Sequence, residues 1–268
     1  MGFLEEIVRE THRTIGGPEY GTGLPPRRAG APASFRGAVE RDRDRGALIV
    51  EYKRVSPGNP EPLLPARSVK QFAELTARAP VSGLSCLATV PRFDGSPVDV
   101  ATLVRSSSRP VLFKDFIVDD RQLDVAARTG ASAVLLIARL ATEGLLSVPL
   151  SSLAEGAHRR GLEVVLEFHA RAELRCAADV AADVYGVNSR NLDTLLIDRP
   201  TASDTLRESR RRGLSPLLGL SGVGGASDAQ RFWAEGVDGL LVGSAVARAS
   251  DPANFLATLR RPNPGGRS

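Results

Sequence analysis

Val111-Leu112-Phe113 and Ala133-Val134-Leu135-Leu136-Ile137 are two short, nearly continuous apolar runs, and the stretch between them, Asp120–Thr129, has helical spacing. Strands that are apolar on both faces belong in a sheet covered on both faces. A helix between two of them returns the chain so that they pair in parallel. The same grammar extends in both directions. Further apolar runs lie at Leu48–Lys53, Gly83–Leu87, Glu163–Glu167, Val184–Asn188, Pro216–Leu220 and Gly239–Gly243, which makes eight. Helical stretches accompany them at Val69–Ala79, Asp99–Ser106, Ser151–Arg160, Ala172–Ala178, Ala202–Arg212, Asp228–Glu235 and Pro252–Leu259. Eight strand–helix units close into a (β/α)8 TIM barrel. The rival, an open doubly wound sheet, would carry a Gly-rich turn after its first strand. Here that strand is followed by Arg54-Val55-Ser56-Pro57-Gly58-Asn59-Pro60, a long polar loop.

The barrel is expected over residues 46–260. Residues 1–45 read as a helical extension packed on it. Phe3, Leu4, Ile7 and Val8 lie on one side of a helix over Gly2–Ile15, and Gly16–Pro32 is a Gly- and Pro-rich loop. Ser34 is placed to cap a second helix running to Arg45. This segment is too short for a core of its own, so it is expected to cover an end of the barrel. Residues 261–268 are expected to be a flexible tail.

The 268 residues are 42% hydrophobic and 25% charged, the balance of a soluble globular chain. No apolar run is long enough to span a bilayer. Met1-Gly2-Phe3-Leu4-Glu5-Glu6 lacks the basic-then-apolar order of a signal peptide, so a cytoplasmic protein is expected. Cys86 and Cys176 sit in a strand-like and a helix-like run, which suits reduced thiols better than a disulfide framework. The net charge of +4 does not point to nucleic acid, because arginines alternate with acids, as in Glu40-Arg41-Asp42-Arg43-Asp44-Arg45, and aromatics are only 5%. A mild positive field instead favours an anionic small substrate. Of the 35 basic residues only Lys53, Lys70 and Lys114 are lysine, and Lys53 and Lys114 each stand where an apolar run stops. Arginine stays protonated, whereas lysine can give up a proton. Lysine at two strand ends of an arginine-preferring chain points to ammonium groups that act as acids.

In such a barrel the chemistry collects at the C-terminal ends of the strands. Those ends carry Glu51 and Lys53, Ser85, Lys114, Arg139, Glu167, Asn188 and Arg190, Ser221-Gly222, and Gly243-Ser244. Side chains alternate along a strand, so Glu51 and Lys53 point the same way. Two carboxylates, two ammoniums and an amide around one mouth can supply acid, base and orienting groups together. Each has a structural alternative: Glu51–Lys53 or Lys114–Glu167 as an ion pair on the rim, Asn188 as a turn cap. The last two ends form a second constellation, Leu220-Ser221-Gly222-Val223-Gly224-Gly225 and Leu241-Val242-Gly243-Ser244-Ala245. Loops after strands 7 and 8 of these barrels often bind phosphate through backbone amides, which glycine lets approach closely.

These residues also carry a resemblance. Glu51-Tyr52-Lys53-Arg54-Val55-Ser56-Pro57, Val111-Leu112-Phe113-Lys114-Asp115-Phe116-Ile117-Val118-Asp119 and Gly186-Val187-Asn188-Ser189-Arg190-Asn191-Leu192 resemble indole-3-glycerol-phosphate synthases. The likeness covers nearly the whole chain, extension included. It implies a TIM-barrel carboxy-lyase of tryptophan biosynthesis, closing the ring of 1-(2-carboxyphenylamino)-1-deoxyribulose 5-phosphate with loss of CO2 and water. It implies no metal or organic cofactor. By the resemblance Lys114 is the acid toward the ketone oxygen and Glu167 a base in the dehydration, with Lys53 and Glu51 assisting loss of the hydroxyl. Asn188 and Arg190 orient the substrate, Arg190 and Ser56 near its carboxylate, and Phe93 and Phe116 hold its aromatic ring. Ser221 joins the substrate contacts, and Gly222, Gly243 and Ser244 take the phosphate. One departure stands out: the family usually has Glu-Ser-Gly where this chain has Leu220-Ser221-Gly222. That leaves two other readings, a weakly active barrel docking to another tryptophan-pathway enzyme, and a different phosphosugar enzyme such as an isomerase.

Overall fold

The computed structural model describes residues 2–26, 30–55 and 68–262. Eight parallel strands form a closed barrel in chain order: β1 (Ala47–Tyr52), β2 (Gly83–Leu87), β3 (Val111–Lys114), β4 (Ala133–Ile137), β5 (Glu163–Phe168), β6 (Val184–Asn188), β7 (Leu217–Leu220) and β8 (Gly239–Val242), with β8 pairing back onto β1. Helices α3 (Val69–Ala77), α4 (Pro97–Ser106), α5 (Asp120–Thr129), α7 (Leu150–Arg159), α8 (Arg199–Arg211), α9 (Ala226–Ala234) and α11 (Pro252–Thr258) belong to its outer layer. The stretch read as a helix between β5 and β6 is a 3-10 helix, Arg171–Ala178. Two short helices, α6 (Ala138–Thr142) and α10 (Ser244–Arg248), follow β4 and β8 directly and have no counterpart in the sequence reading.

Alternation sorts the apolar residues into two clusters. Ile49, Leu112, Leu135, Val165, Leu218 and Leu241 fill the barrel, while Val50, Leu84, Val134, Leu166, Val187 and Leu240 pack beneath the helices. Burying each such side chain contributes about 1.5–3 kcal/mol, which fixes strand register because a slip of one residue would exchange the two sets.

The extension reaches both ends of the barrel. Helix α1 (Phe3–Gly16) buries Leu4, Ile7, Val8 and Ile15 in the same cluster as Phe116, Leu140 and Leu192. It is tied to the β2–α4 loop by Arg92, which donates to Glu6 at 2.8 Å and to Glu10 at 2.9 Å. Helix α2 (Phe35–Asp42) is capped as its sequence suggests, with Ser34 Oγ accepting from the Gly37 N–H at 2.8 Å. It lays fully buried Phe35 against Gly83 at the opposite end, where β2 begins. Of the segment read as a tail, residues 263–268 lie outside the described residues, and Arg261 contacts the barrel. Its N–H donates to Arg45 O at 3.0 Å and its guanidinium lies 5.1 Å from the Trp233 ring centroid.

Candidate active site

The C-terminal mouth of the barrel opens into a cavity of about 320 Å3. Glu51, Lys53, Lys114, Glu167, Asn188, Arg190, Phe93, Phe116, Ser221, Gly222, Gly243 and Ser244 all line it, so the groups singled out from the sequence meet at one end. Ser56 lies outside the described residues. Two of the strand-end residues do not join them. Ser85 is buried beside Glu51 in the β1–β2 ladder but does not line the cavity. Arg139 belongs to α6, where Glu143 one turn on and Asp193 take its guanidinium.

The polar groups divide into two stations. In the first, Glu51 faces inward near the end of β1. Lys53 Nζ lies 3.1 Å from its Oε1, and Lys114 Nζ, from the end of β3, lies 3.9 Å from its Oε2. Burial works to raise the Glu51 pKa, but the ammoniums of Lys53 and Lys114, helped by Arg190, outweigh it and hold the carboxyl below its ordinary value. Both lysines therefore share one carboxylate. In the second station Glu167, near the end of β5 and 1% exposed, accepts from Asn188 Nδ2 at 3.2 Å through Oε1, while its Oε2 has no hydrogen bond among the described residues. Asn188 Oδ1 accepts the Arg190 N–H at 3.0 Å, and the Arg190 guanidinium donates to Leu195 O. Burial holds the Arg190 pKa below its usual value, with Glu51 working against the shift.

Apolar side chains line one part of the rest of the cavity. Leu87, Leu135, Ile137, Leu220 and Leu241 line it, Phe3 of α1 contributes from the extension, and Phe93 and Phe116 pair with ring centroids 6.0 Å apart. Leu220 is 1% exposed and stands beside Asn188 in the β6–β7 ladder. A Cβ on Gly186 would come 2.3 Å from Leu220 Cδ1, so glycine at 186 makes room for this leucine.

The turn after β7 has an unusual backbone. Ser221 has φ +62° and Gly222 φ +74°, so a serine occupies the left-handed region beside a glycine. That conformation is strained for a non-glycine residue and collects at functional sites. The backbone N–H groups of Gly222, Gly243 and Ser244 donate to no backbone carbonyl of a turn or loop among the described residues. Gly243 also leaves room for Glu51, since a Cβ there would lie 2.9 Å from Glu51 Oε1 and displace that carboxylate.

Some cavity residues escaped the sequence reading. Asp115, quoted only as part of a motif, accepts from Thr89 at 2.7 Å, Gln122 at 2.9 Å and the Phe116 N–H at 2.9 Å. It thereby pins the turn that follows Lys114. Arg199 and Asp228 pair at 3.1 Å on the cavity wall, and Asp228 also accepts the Gly224 N–H at 2.8 Å. Nothing in their sequence surroundings distinguishes them from surface charges. Among the described residues no group of three or more His, Cys, Asp or Glu side chains is arranged to hold a metal ion, and no helix is long and apolar enough to cross a membrane.

Solved structures share the architecture. A 3-hexulose-6-phosphate synthase from Salmonella typhimurium superposes with a TM-score of 0.61 at 16% identity, over 80% of this chain and 96% of that one. A thiamine phosphate pyrophosphorylase from Pyrococcus furiosus gives 0.57 at 16% identity, over 82% and 95%. At these identities the likeness is one of fold. Sequence relatives are closer. An indole-3-glycerol phosphate synthase of Exiguobacterium sibiricum is 34% identical over 213 residues, 78% of this chain and 79% of that protein. One from Staphylococcus aureus strain JH1 is 34% identical over 227 residues, 85% and 84%. The profile of the family described as indole-3-glycerol phosphate synthase matches residues 19–259, nearly the whole barrel and most of the extension. The chain belongs to the indole-3-glycerol phosphate synthase family.

Proposed function

We propose that this cavity carries out the reaction for which the family is named, closing the indole ring of 1-(2-carboxyphenylamino)-1-deoxyribulose 5-phosphate with release of CO2 and water, as a step of tryptophan biosynthesis. The observation that carries the reading is that the two lysines, paired with Glu51, and the separate Glu167 carboxylate, held by Asn188, line one cavity. Ring closure needs a proton at the ketone oxygen as the aryl carbon attacks, and the later dehydration needs a proton removed. The two demands call for an acid and a base that do not neutralise each other. Neither Lys53 nor Lys114 pairs with Glu167 among the described residues.

Lys114 protonates the ketone oxygen as the carbon–carbon bond forms. Loss of CO2 from the same aryl carbon then restores the aromatic ring. Lys53, oriented by Glu51, protonates the departing hydroxyl, and Glu167 takes the proton that completes the double bond. Asn188 holds Glu167, and Arg190 meets the anthranilate carboxylate; Ser221 and Ser56 complete the substrate contacts. Phe93 and Phe116 flank the aromatic ring, and the amides near Gly222, Gly243 and Ser244 take the phosphate. The substrate is a small anion. No nucleic acid or membrane enters this reading, and a cytoplasmic setting suits it. Neither a docking barrel nor an isomerase is favoured within this family.

The test is direct: purified protein incubated with the carboxyphenylamino-deoxyribulose phosphate should develop indole fluorescence. Well-folded protein that yields no indole product would overturn the assignment.

A further inference from the structure

Beside Glu167 lies a buried histidine for which the proposed chemistry has no use. His169 follows Glu167 by two residues and stands in the bend just past the end of β5. It is 5% exposed and does not line the cavity. Its Nε2 lies 3.3 Å from Glu167 Oε1, and its Nδ1 lies 3.7 Å from Oε2 of Glu173, a residue of the 3-10 helix that is itself 5% exposed. Glu173 Oε2 also accepts the His169 backbone N–H at 2.6 Å, which fixes that carboxylate against the ring. Neither ring nitrogen completes a hydrogen bond, although each faces a carboxylate oxygen. Two unsatisfied nitrogens on one buried ring are costly, and an apolar side chain of similar size would avoid the cost. The other charged group acting here is Arg139 of α6, which is paired with Glu143 and Asp193 and attracts Glu173. From β6, Asn188 already donates to the same Glu167 oxygen that His169 approaches.

We propose that Glu173 and His169 form a positioning pair for Glu167, in which the imidazolium, with its Nδ1–H toward the Glu173 carboxylate, donates from Nε2–H to Glu167 Oε1. Two donors, Asn188 and His169, then hold Oε1, and Oε2 is left for the substrate. Such bonds are often loose without substrate and tighten when it binds. A donor to the ionised carboxylate favours that form and fixes which oxygen faces the cavity. The inference rests on reading Glu167 as the proton acceptor, but its test does not depend on turnover alone.

The experiment compares full-length wild type with His169→Leu, His169→Gln and Glu173→Gln. It measures kcat and KM across the pH range, thermal melts, and the titration of the Glu167 carboxyl by carbon-13 NMR without substrate. In His169→Leu, kcat should fall by roughly ten- to a hundredfold, the scale of a misplaced catalytic group, with KM within about threefold. Its acid limb and the Glu167 titration should both move to higher pH. His169→Gln, whose amide nitrogen can stand near the place of Nε2, should recover most of the loss, and Glu173→Gln should show a weaker form of the leucine phenotype. A folded His169→Leu protein with near-wild-type kcat and an unmoved Glu167 titration overturns the proposal. So does a His169→Gln protein as impaired as His169→Leu with no pH shift in either, since the ring would then be filler. If His169→Leu does not fold, the glutamine variants decide by the same criteria. If wild type shows no synthase turnover, the functional reading fails, and the NMR titration still decides whether His169 sets the state of Glu167.

Discussion

Replacing Leu220 by glutamate would restore at the end of β7 the carboxylate the family usually carries there, and its cost has two parts. Leu220 is 1% exposed inside the barrel cluster. Giving up its apolar burial costs about 2 kcal/mol. The new carboxyl then ionises with a partner or stays protonated. Staying protonated at pH 7 costs roughly 1.36 kcal/mol for each of the roughly 2.7 units above the free glutamate pKa, or about 4 kcal/mol. The sum is about 2 kcal/mol if the carboxylate is paired and about 6 kcal/mol if it is not. In a chain of this size that means a Tm lower by roughly 4–8 °C or by roughly 12–24 °C. The site favours pairing. Asn188 is the ladder neighbour of Leu220, and Arg190 is a partly buried cation whose charge Glu51 supports from β1.

Acid separates the two cases. A carboxyl whose pKa is raised by folding destabilises more as pH climbs above its unfolded value, so the unpaired penalty of about 4 kcal/mol at pH 7 shrinks to about 1 kcal/mol at pH 5. The paired deficit stays near its value at both. The assay is a set of melts at the two pH values for wild type, Leu220→Glu and the uncharged control Leu220→Gln, beside steady-state kinetics by indole fluorescence. We expect a Tm loss that does not change with pH and a kcat gain of roughly tenfold or more in the glutamate variant alone, less than the roughly hundredfold or more of a fully positioned acid or base. A pH-independent Tm loss with kcat at or below wild type would refute the idea that a carboxylate is what β7 lacks.

Other outcomes follow from the same geometry. Lys114→Arg keeps the charge and removes a usable acid, so kcat should fall by about a hundredfold or more while KM changes less; near-wild-type turnover would leave Lys114 an electrostatic role only. Lys53→Met removes the nearer of the two ammoniums that hold the Glu51 carboxyl below its ordinary value, so the acid limb of kcat/KM should move to higher pH, and an unmoved limb would show that Glu51 does not set it. Inorganic phosphate should compete with substrate at the turns after β7 and β8. Gly243→Ala should raise KM and also lower kcat, because the new Cβ meets Glu51 Oε1 at 2.9 Å as well as the phosphate position; a variant with both constants unchanged would place the phosphate elsewhere.

Much of the barrel was legible because parallel strands covered on both faces leave unbroken apolar runs. Ala133–Ile137 and Val184–Asn188 end in the structure where their runs end. Helices α6 and α10 were not legible, since five residues are too few to show a helical period, and Arg139 was accordingly assigned to the mouth although an i,i+4 partner on α6 claims it. The extension betrayed its helices by pattern and cap. Nothing in the pattern said that α1 and α2 would go to opposite ends, because an apolar helix face does not name what it covers. The catalytic candidates stood out for the complementary reason that a charged residue closing an apolar run is rare. His169, Thr89 and Arg199 lie in or beside loops, where polar residues are the rule.

Partnership is the property that sequence order does not express, and here it governs the chemistry. Lys53 and Lys114 come from different strands, 61 positions apart, yet one carboxylate, Glu51, lies within pairing distance of both. Groups that share a counter-ion are coupled through it, so a change at one lysine is felt at the other. Removing Lys53 leaves Glu51 free to draw closer to Lys114, and removing Lys114 does the reverse. Each single variant therefore reports a changed partner as well as a missing acid. The separate contributions come only from the double variant, Lys53→Met with Lys114→Met, read against the two single methionine variants. A loss in the double variant equal to the product of the single losses would mean two independent acids. A smaller loss would mean that Glu51 couples them into one acid station, which the 3.1 Å and 3.9 Å contacts favour.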